Sequence, residues 1–119
     1  MNKFKKYDII VYGATGFTGK LVCDYLYSHK DTKELKWGIS GRSEAKLLPL
    51  SNKYNIDYFI ASSFDFEALN KVTSSTKLII SMVGPYDKYG DLLINSCLNN
   101  TTHYLDINGA PNFVHRISS

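Results

Sequence analysis

Apolar residues along the chain come in short β-branched bursts, separated by stretches in which they recur every three or four positions, and the two patterns alternate from one end to the other. Ile9, Ile10, Val11 and Tyr12 form the first burst, closed by Gly13, as expected of a strand buried on both faces of a parallel sheet. Leu21, Val22, Tyr25 and Leu26 follow at helical spacing ahead of the polar stretch from His29 to Glu34, predicting a helix directly after a glycine turn. Leu35 to Ser40 predicts a second strand ending at Gly41. Ser43 suits the N-cap of a short helix reaching Leu48, where Pro49 is expected to break it by removing an amide donor and crowding the preceding turn.

The alternation continues. Asp57 to Ala61 predicts a third strand, and Asp65 opens a helix carrying Phe66, Leu69 and Val72 on one side. Leu78 to Val83 predicts a fourth strand broken by Gly84 and Pro85. Leu92, Leu93, Ile94, Cys97 and Leu98 then outline a helix that frays at Asn99 and Asn100, and Tyr104 to Ile107 predicts a fifth strand. Consecutive parallel strands need long right-handed crossovers across a sheet face. The expected fold class is therefore α/β: a doubly wound parallel sheet of Rossmann type.

Composition narrows the reading. At 119 residues, 44% of them hydrophobic, the chain suits one core, so residues 1–119 are read as a single domain. The formal net charge of +3 comes from scattered lysines, with a cluster at Lys3, Lys5 and Lys6 that reads as a solvated N-terminus; no basic face suggests nucleic acid. Cys23 and Cys97 lie far apart within apolar helical patterns, which suits reduced packing residues in a reducing compartment, and a cytoplasmic location is expected. Asp8 and Gly13 bound the first apolar stretch too tightly for a signal peptide, and no apolar run approaches the ~20 residues of a membrane span.

The candidate chemistry lies at strand ends. Gly13, Ala14, Thr15, Gly16, Phe17, Thr18 and Gly19 join the first strand to the first helix, the position at which this architecture binds a dinucleotide pyrophosphate. Backbone N–H groups at the helix start point outward with the positive end of the dipole, and glycines let phosphate oxygens approach without meeting a Cβ. The spacing is G-x-x-G-x-x-G, a variant associated with short-chain dehydrogenases and their relatives; its plainer reading is a turn needed for packing alone. A P-loop fails because five residues separate Gly13 from Gly19, and Leu21 stands where Ser or Thr would bind magnesium. Lys20 then reads as a surface residue.

An acid ending the second strand would accept hydrogen bonds from the adenosine ribose of NAD. The chain instead reads Gly41, Arg42, Ser43. Arg42 can stack on adenine and pair with a 2′-phosphate, with Ser43 and Lys46 adding hydrogen bonds or charge, so NADP is expected over NAD; Glu44 argues against it. The plainer alternative makes Arg42 a solvated cation and Ser43 a helix cap. Asp65 suits an adenine contact and an N-cap equally. Val83, Gly84, Pro85 and Tyr86 end the fourth strand on the edge where the nicotinamide half would lie, or form a simple turn.

Three stretches together, YGATGFTGKLV, WGISGRSEAKL and VGPYDKYGDLLINSCLNNTTHYLDINGAPNF, resemble the saccharopine dehydrogenase-like oxidoreductase family over nearly the whole chain. The last is the most specific, through Val83 to Tyr86, then Tyr89, Gly90 and Asp106. The resemblance implies an NAD(P)-binding Rossmann domain, followed in full-length members by a larger substrate and dimerisation region, so the chain is expected to be truncated and the whole protein to form a homodimer. It also implies a small-molecule or lipid-like substrate, and association with lipid droplets or membranes. Ala110 departs from the Gly-Glu-Pro turn usual in relatives.

No catalytic acid or base can be named. Tyr86 is followed four positions later by Gly90 and not by Lys, while His29 and His103 lack metal-ligand spacing, and Asp106 suits a turn as well as a cleft. The leading expectation is the cofactor-holding part of an oxidoreductase that transfers hydride with NADP(H). The alternative is a noncatalytic NADP(H) sensor that selects a protein partner by cofactor occupancy.

Overall fold

In a computed structural model the described residues are 5–29, 34–82 and 88–106. The elements run β1 (Tyr7–Tyr12), α1 (Phe17–Ser28), β2 (Trp37–Gly41), α2 (Glu44–Tyr54), β3 (Asp57–Ile60), α3 (Phe66–Ser74), β4 (Thr76–Ser81), α4 (Lys88–Asn99) and β5 (His103–Asp106). All strand pairs are parallel, in the order β3-β2-β1-β4-β5. The chain thus builds outward from β1 to β3, then crosses to the other side of β1 for β4. That reversal leaves a crevice at the carboxyl ends of β1 and β4, because the flanking connections there lead to opposite sides.

Side chains of β1 alternate between two cores, as the strand period of two requires. Ile10 and Tyr12 enter a cluster with Leu69, Val72, Ile79, Leu93 and Cys97 under α3 and α4. Val11 faces the opposite cluster, with Cys23, Leu26, Ile39, Leu47, Leu50 and Tyr54 under α1 and α2. Burial of each large aliphatic side chain contributes about 1.5–3 kcal/mol, so both faces of the sheet are well covered. Both cysteines are free thiols and buried.

The strands differ at their ends from the sequence expectation. β1 begins two residues earlier, at Tyr7; Leu35 and Lys36 precede β2; and β4 runs from Thr76 to Ser81. Strand extent follows the pairing register, Tyr7 with Thr76 and Ile9 with Trp37, which local apolarity does not encode. Ile107 and Val83 lie outside the described residues.

Two expectations are corrected. The helix after Ser43 does not stop before Pro49 but continues to Tyr54. Leu47, Leu50 and Tyr54 form its buried face, and that packing outweighs the one backbone hydrogen bond proline removes on the exposed side. Lys5 is not part of a solvated N-terminus. Its Nζ donates to the carbonyls of Thr73, Thr76 and Asn100 at 3.4, 3.1 and 2.8 Å, and to Thr102 Oγ1 at 2.6 Å. These groups lie where α3 leads into β4 and α4 leads into β5, so the ammonium ties the segment before β1 to both junctions. Burial lowers the Lys5 pKa from its ordinary value.

Candidate dinucleotide site

The turn after β1 is shaped by its glycines. Gly13 has φ 80°, in the left-handed region that side chains other than glycine rarely adopt, and its N–H donates to Ser40 O at 2.8 Å. The turn is therefore anchored to the end of β2 as it reverses into α1. Gly19 serves close packing: a Cβ there would stand 2.6 Å from Ala14 O, so glycine lets the first turn of α1 settle against the fully buried Ala14.

Gly16 has a different role. It is the N-cap of α1 and makes no side-chain cap hydrogen bond, and a Cβ at this position would meet nothing within 4 Å. The first turn of α1 carries no acidic residue. α2 and α3 are arranged otherwise: Ser43 Oγ accepts from Lys46 N at 3.4 Å, and Asp65 Oδ1 accepts from Ala68 N at 3.1 Å. Among the described residues, no side-chain cap hydrogen bond takes up the N–H groups at the start of α1, which leaves them to an anion such as a pyrophosphate. Thr15 is half-buried, while Phe17 and Thr18 are exposed at the mouth of the turn.

Arg42, also exposed, follows β2 on the same carboxyl edge. It is close enough to the Tyr12 phenol for its charge to act on it. Burial nevertheless raises the Tyr12 pKa, against the opposing effects of a hydrogen bond with Ser63 and of Arg42. Tyr12 Oη donates to Ala61 O at 2.9 Å and lies 3.2 Å from Ser63 Oγ, while Ala61 N donates to Gly41 O at 2.7 Å. The loops after β1, β2 and β3 are thereby fastened into one shelf that carries the glycine turn, Arg42, Ser43 and Asp65. The sequence does not single out Tyr12 or Ser63, because Tyr12 reads as a core residue of a strand and Ser63 as an ordinary loop serine.

Ser43 and Asp65 take the helix-cap role, one of the two that the sequence allows each of them. Capping uses an acceptor lone pair of Ser43 and leaves its hydroxyl hydrogen available as a donor. Lys46 is exposed one turn into α2. Val83, Gly84, Pro85 and Tyr86 lie outside the described residues, as do Gly109, Ala110 and Pro111. Asp106 is in register with Ser81 at the carboxyl end of the sheet. His29 stacks on Tyr25, with ring centroids 4.3 Å apart. Among the described residues no group of three or more His, Cys, Asp or Glu is placed to hold a metal. A groove of about 450 Å³ runs along β3 and α3, past Ile60 and Lys71. The glycine turn does not line this groove.

Residues 9–116 match the family described as the saccharopine dehydrogenase NADP binding domain. The chain belongs to this family. Its cofactor is NADP, and the exposed start of α1 and the Arg42 shelf are suited to that ligand. The chain is 33% identical to a lipid droplet localized protein of Caenorhabditis elegans over 94% of its own length and 28% of the relative's. It is 29% identical to a probable mitochondrial saccharopine dehydrogenase-like oxidoreductase of Arabidopsis thaliana, covering 95% of this chain and 28% of that one. A trans-acting enoyl reductase of Mycobacterium leprae is 29% identical over 88% of this chain and 26% of the relative. The chain thus spans little more than a quarter of the length of these curated relatives.

Solved structures agree on the fold. Triphenylmethane reductase of Citrobacter superposes with a TM-score of 0.73 at 20% identity, over 88% of this chain and 38% of that one. Saccharopine dehydrogenase of Saccharomyces cerevisiae gives 0.68 at 18% identity, over 88% and 22%. Identities this low speak to the fold alone. Among the described residues, no helix is long and apolar enough to cross a membrane.

Proposed function

We propose that this chain is the cofactor-holding domain of an oxidoreductase that transfers hydride, and that it binds NADP(H) in preference to NAD(H). The observation that carries the preference is Arg42, exposed at the end of β2 on the shelf built by Tyr12 and Ser63, where an NAD-binding domain would present an acid to the ribose diol. Its guanidinium can pair with a 2′-phosphate through two parallel hydrogen bonds, and the Ser43 hydroxyl can add a third.

The N–H groups at the start of α1 hold the pyrophosphate, with Gly16 giving it room and Phe17 and Thr18 at the rim. Asp65 closes the adenosine end, and Val83, Gly84, Pro85 and Tyr86 are proposed to flank the nicotinamide half. NADPH bound there supplies a hydride from its nicotinamide ring. The relatives' further length is the proposed home of the substrate, of homodimer contacts and of the residues that move protons. The names of two relatives, one for lipid droplets and one for enoyl reduction, favour a lipid-like substrate and a protein that meets lipid surfaces; a cytoplasmic location rests on the buried free cysteines alone.

Titration calorimetry with NADPH and NADH tests the reading. NADPH should bind at least about tenfold more tightly, and Arg42→Ala should remove most of that gap by weakening NADPH alone. Equal affinities in the wild-type chain would overturn the preference.

A further inference from the structure

Glu44 begins α2 two residues after Arg42, at the helix end capped by Ser43. A carboxylate there stands beside the place proposed for a ribose phosphate and would repel it. The structure gives that carboxylate a partner: Tyr58 Oη donates to Glu44 Oε2 at 2.6 Å. Tyr58 lies on β3, in register with Ile39, and packs against the apolar layer beneath α1 and α2. Its phenol therefore reaches the first turn of α2 from the edge-strand side of the sheet. The carboxylate in turn keeps the phenol protonated, raising its pKa above the ordinary value.

We infer that Tyr58 is a positioning residue for cofactor choice: its hydroxyl holds the Glu44 carboxylate toward β3, so that Arg42 and the Ser43 hydroxyl face a 2′-phosphate without an opposing charge. This rests on the reading of Arg42 given above. Without the phenol, the flexible Glu44 side chain is free to turn toward the ribose. There it would repel a phosphate and accept hydrogen bonds from the diol of NAD, as an acid at the end of the second strand does in NAD-binding domains.

The test is a double-mutant cycle in which dissociation constants for NADPH and NADH are measured for the wild-type chain, Tyr58→Phe, Glu44→Gln and the double variant. Tyr58→Phe should lower the preference for NADPH about fivefold, the size of one exposed charge contact. Glu44→Gln should keep the preference, and Tyr58→Phe added to it should change nothing. Glu44→Asp, one methylene too short to reach the phenol, releases a carboxylate with Tyr58 intact and should reproduce the loss, which keeps the inference testable if Tyr58→Phe folds poorly. Two results would overturn the inference while leaving the role of Arg42 standing. One is a wild-type preference left intact by both Tyr58→Phe and Glu44→Asp. The other is a loss from Tyr58→Phe that is equally large in the wild-type chain and in the Glu44→Gln background. A wild-type chain with no preference would overturn the reading of Arg42, and this inference with it.

Discussion

A Cβ added to Gly19 would stand 2.6 Å from the carbonyl oxygen of Ala14 and 2.7 Å from its carbonyl carbon and Cα. All three are backbone atoms of the turn that Gly13 and Ala14 fix against β1, so neither side can yield without moving α1. Gly19→Ala is expected to destabilise the fold by about 1–3 kcal/mol, the range of an overpacked core. Urea unfolding should show a lower midpoint with an unchanged slope.

Gly16 makes the complementary case. A Cβ there meets no atom of the described residues within 4 Å beyond its chain neighbours, so Gly16→Ala should cost less than about 1 kcal/mol, the difference between glycine and alanine at an N-cap. The methyl group would instead crowd the pyrophosphate proposed to sit at the start of α1. Binding of NADPH, followed by the change in its fluorescence, should weaken at least about tenfold, more than the small stability change explains. Undiminished binding would place the pyrophosphate elsewhere.

Lys5 donates to the carbonyls of Thr73 in α3, Thr76 at the start of β4 and Asn100 just past α4, where Thr73, Ser96 and Asn100 side chains already join the two helices. Lys5→Met keeps much of the side chain's bulk but leaves the single hydrogen of the Thr102 hydroxyl to serve all three carbonyls. A loss of about 1–3 kcal/mol is expected, read as a lower unfolding midpoint. The equivalent change at the exposed Lys6 should fall within about 0.5 kcal/mol of wild type.

Burial pushes the thiols of Cys23 and Cys97 up to about 12, from an ordinary 9.0. Both should resist a thiol reagent at pH 8 in the folded chain and react only as it unfolds, so that labelling rates track denaturant. The sign of the pH dependence follows: a raised folded-state pKa means the unfolded chain loses its proton first, so the stabilisation is whole below about pH 9 and is lost as pH rises toward 12. Tyr7, raised to about 12 by burial and then by its hydrogen bond with Asp57, adds to the loss above pH 10. Lys5, with its pKa lowered, acts in the opposite sense. A stability profile in urea that fell between pH 9 and 11 would bear this out, and a flat or rising one would refute it.

The alternation of strand and helix, the parallel sheet and the glycine turn could be read from the sequence because each rests on short-range chemistry. β-branched bursts, 3.6-residue spacing and the steric permissiveness of glycine act within a few positions of the chain. So does the charge of Arg42, whose exposure after β2 follows from the strand ending at Gly41. Contacts between residues distant in sequence decided what remained. α2 runs through Pro49 because Leu47, Leu50 and Tyr54 are buried together; Lys5 reaches carbonyls some seventy to ninety-five positions away; and Tyr12 joins the shelf through Ala61 and Ser63. Tyr58 meets Glu44 for the same reason, since β3 and α2 come together only when the sheet has formed. Local pattern records what each segment prefers, whereas the partner of a buried polar group or a packed face is set by the assembled sheet, where the free energy of satisfying that group exceeds any local preference.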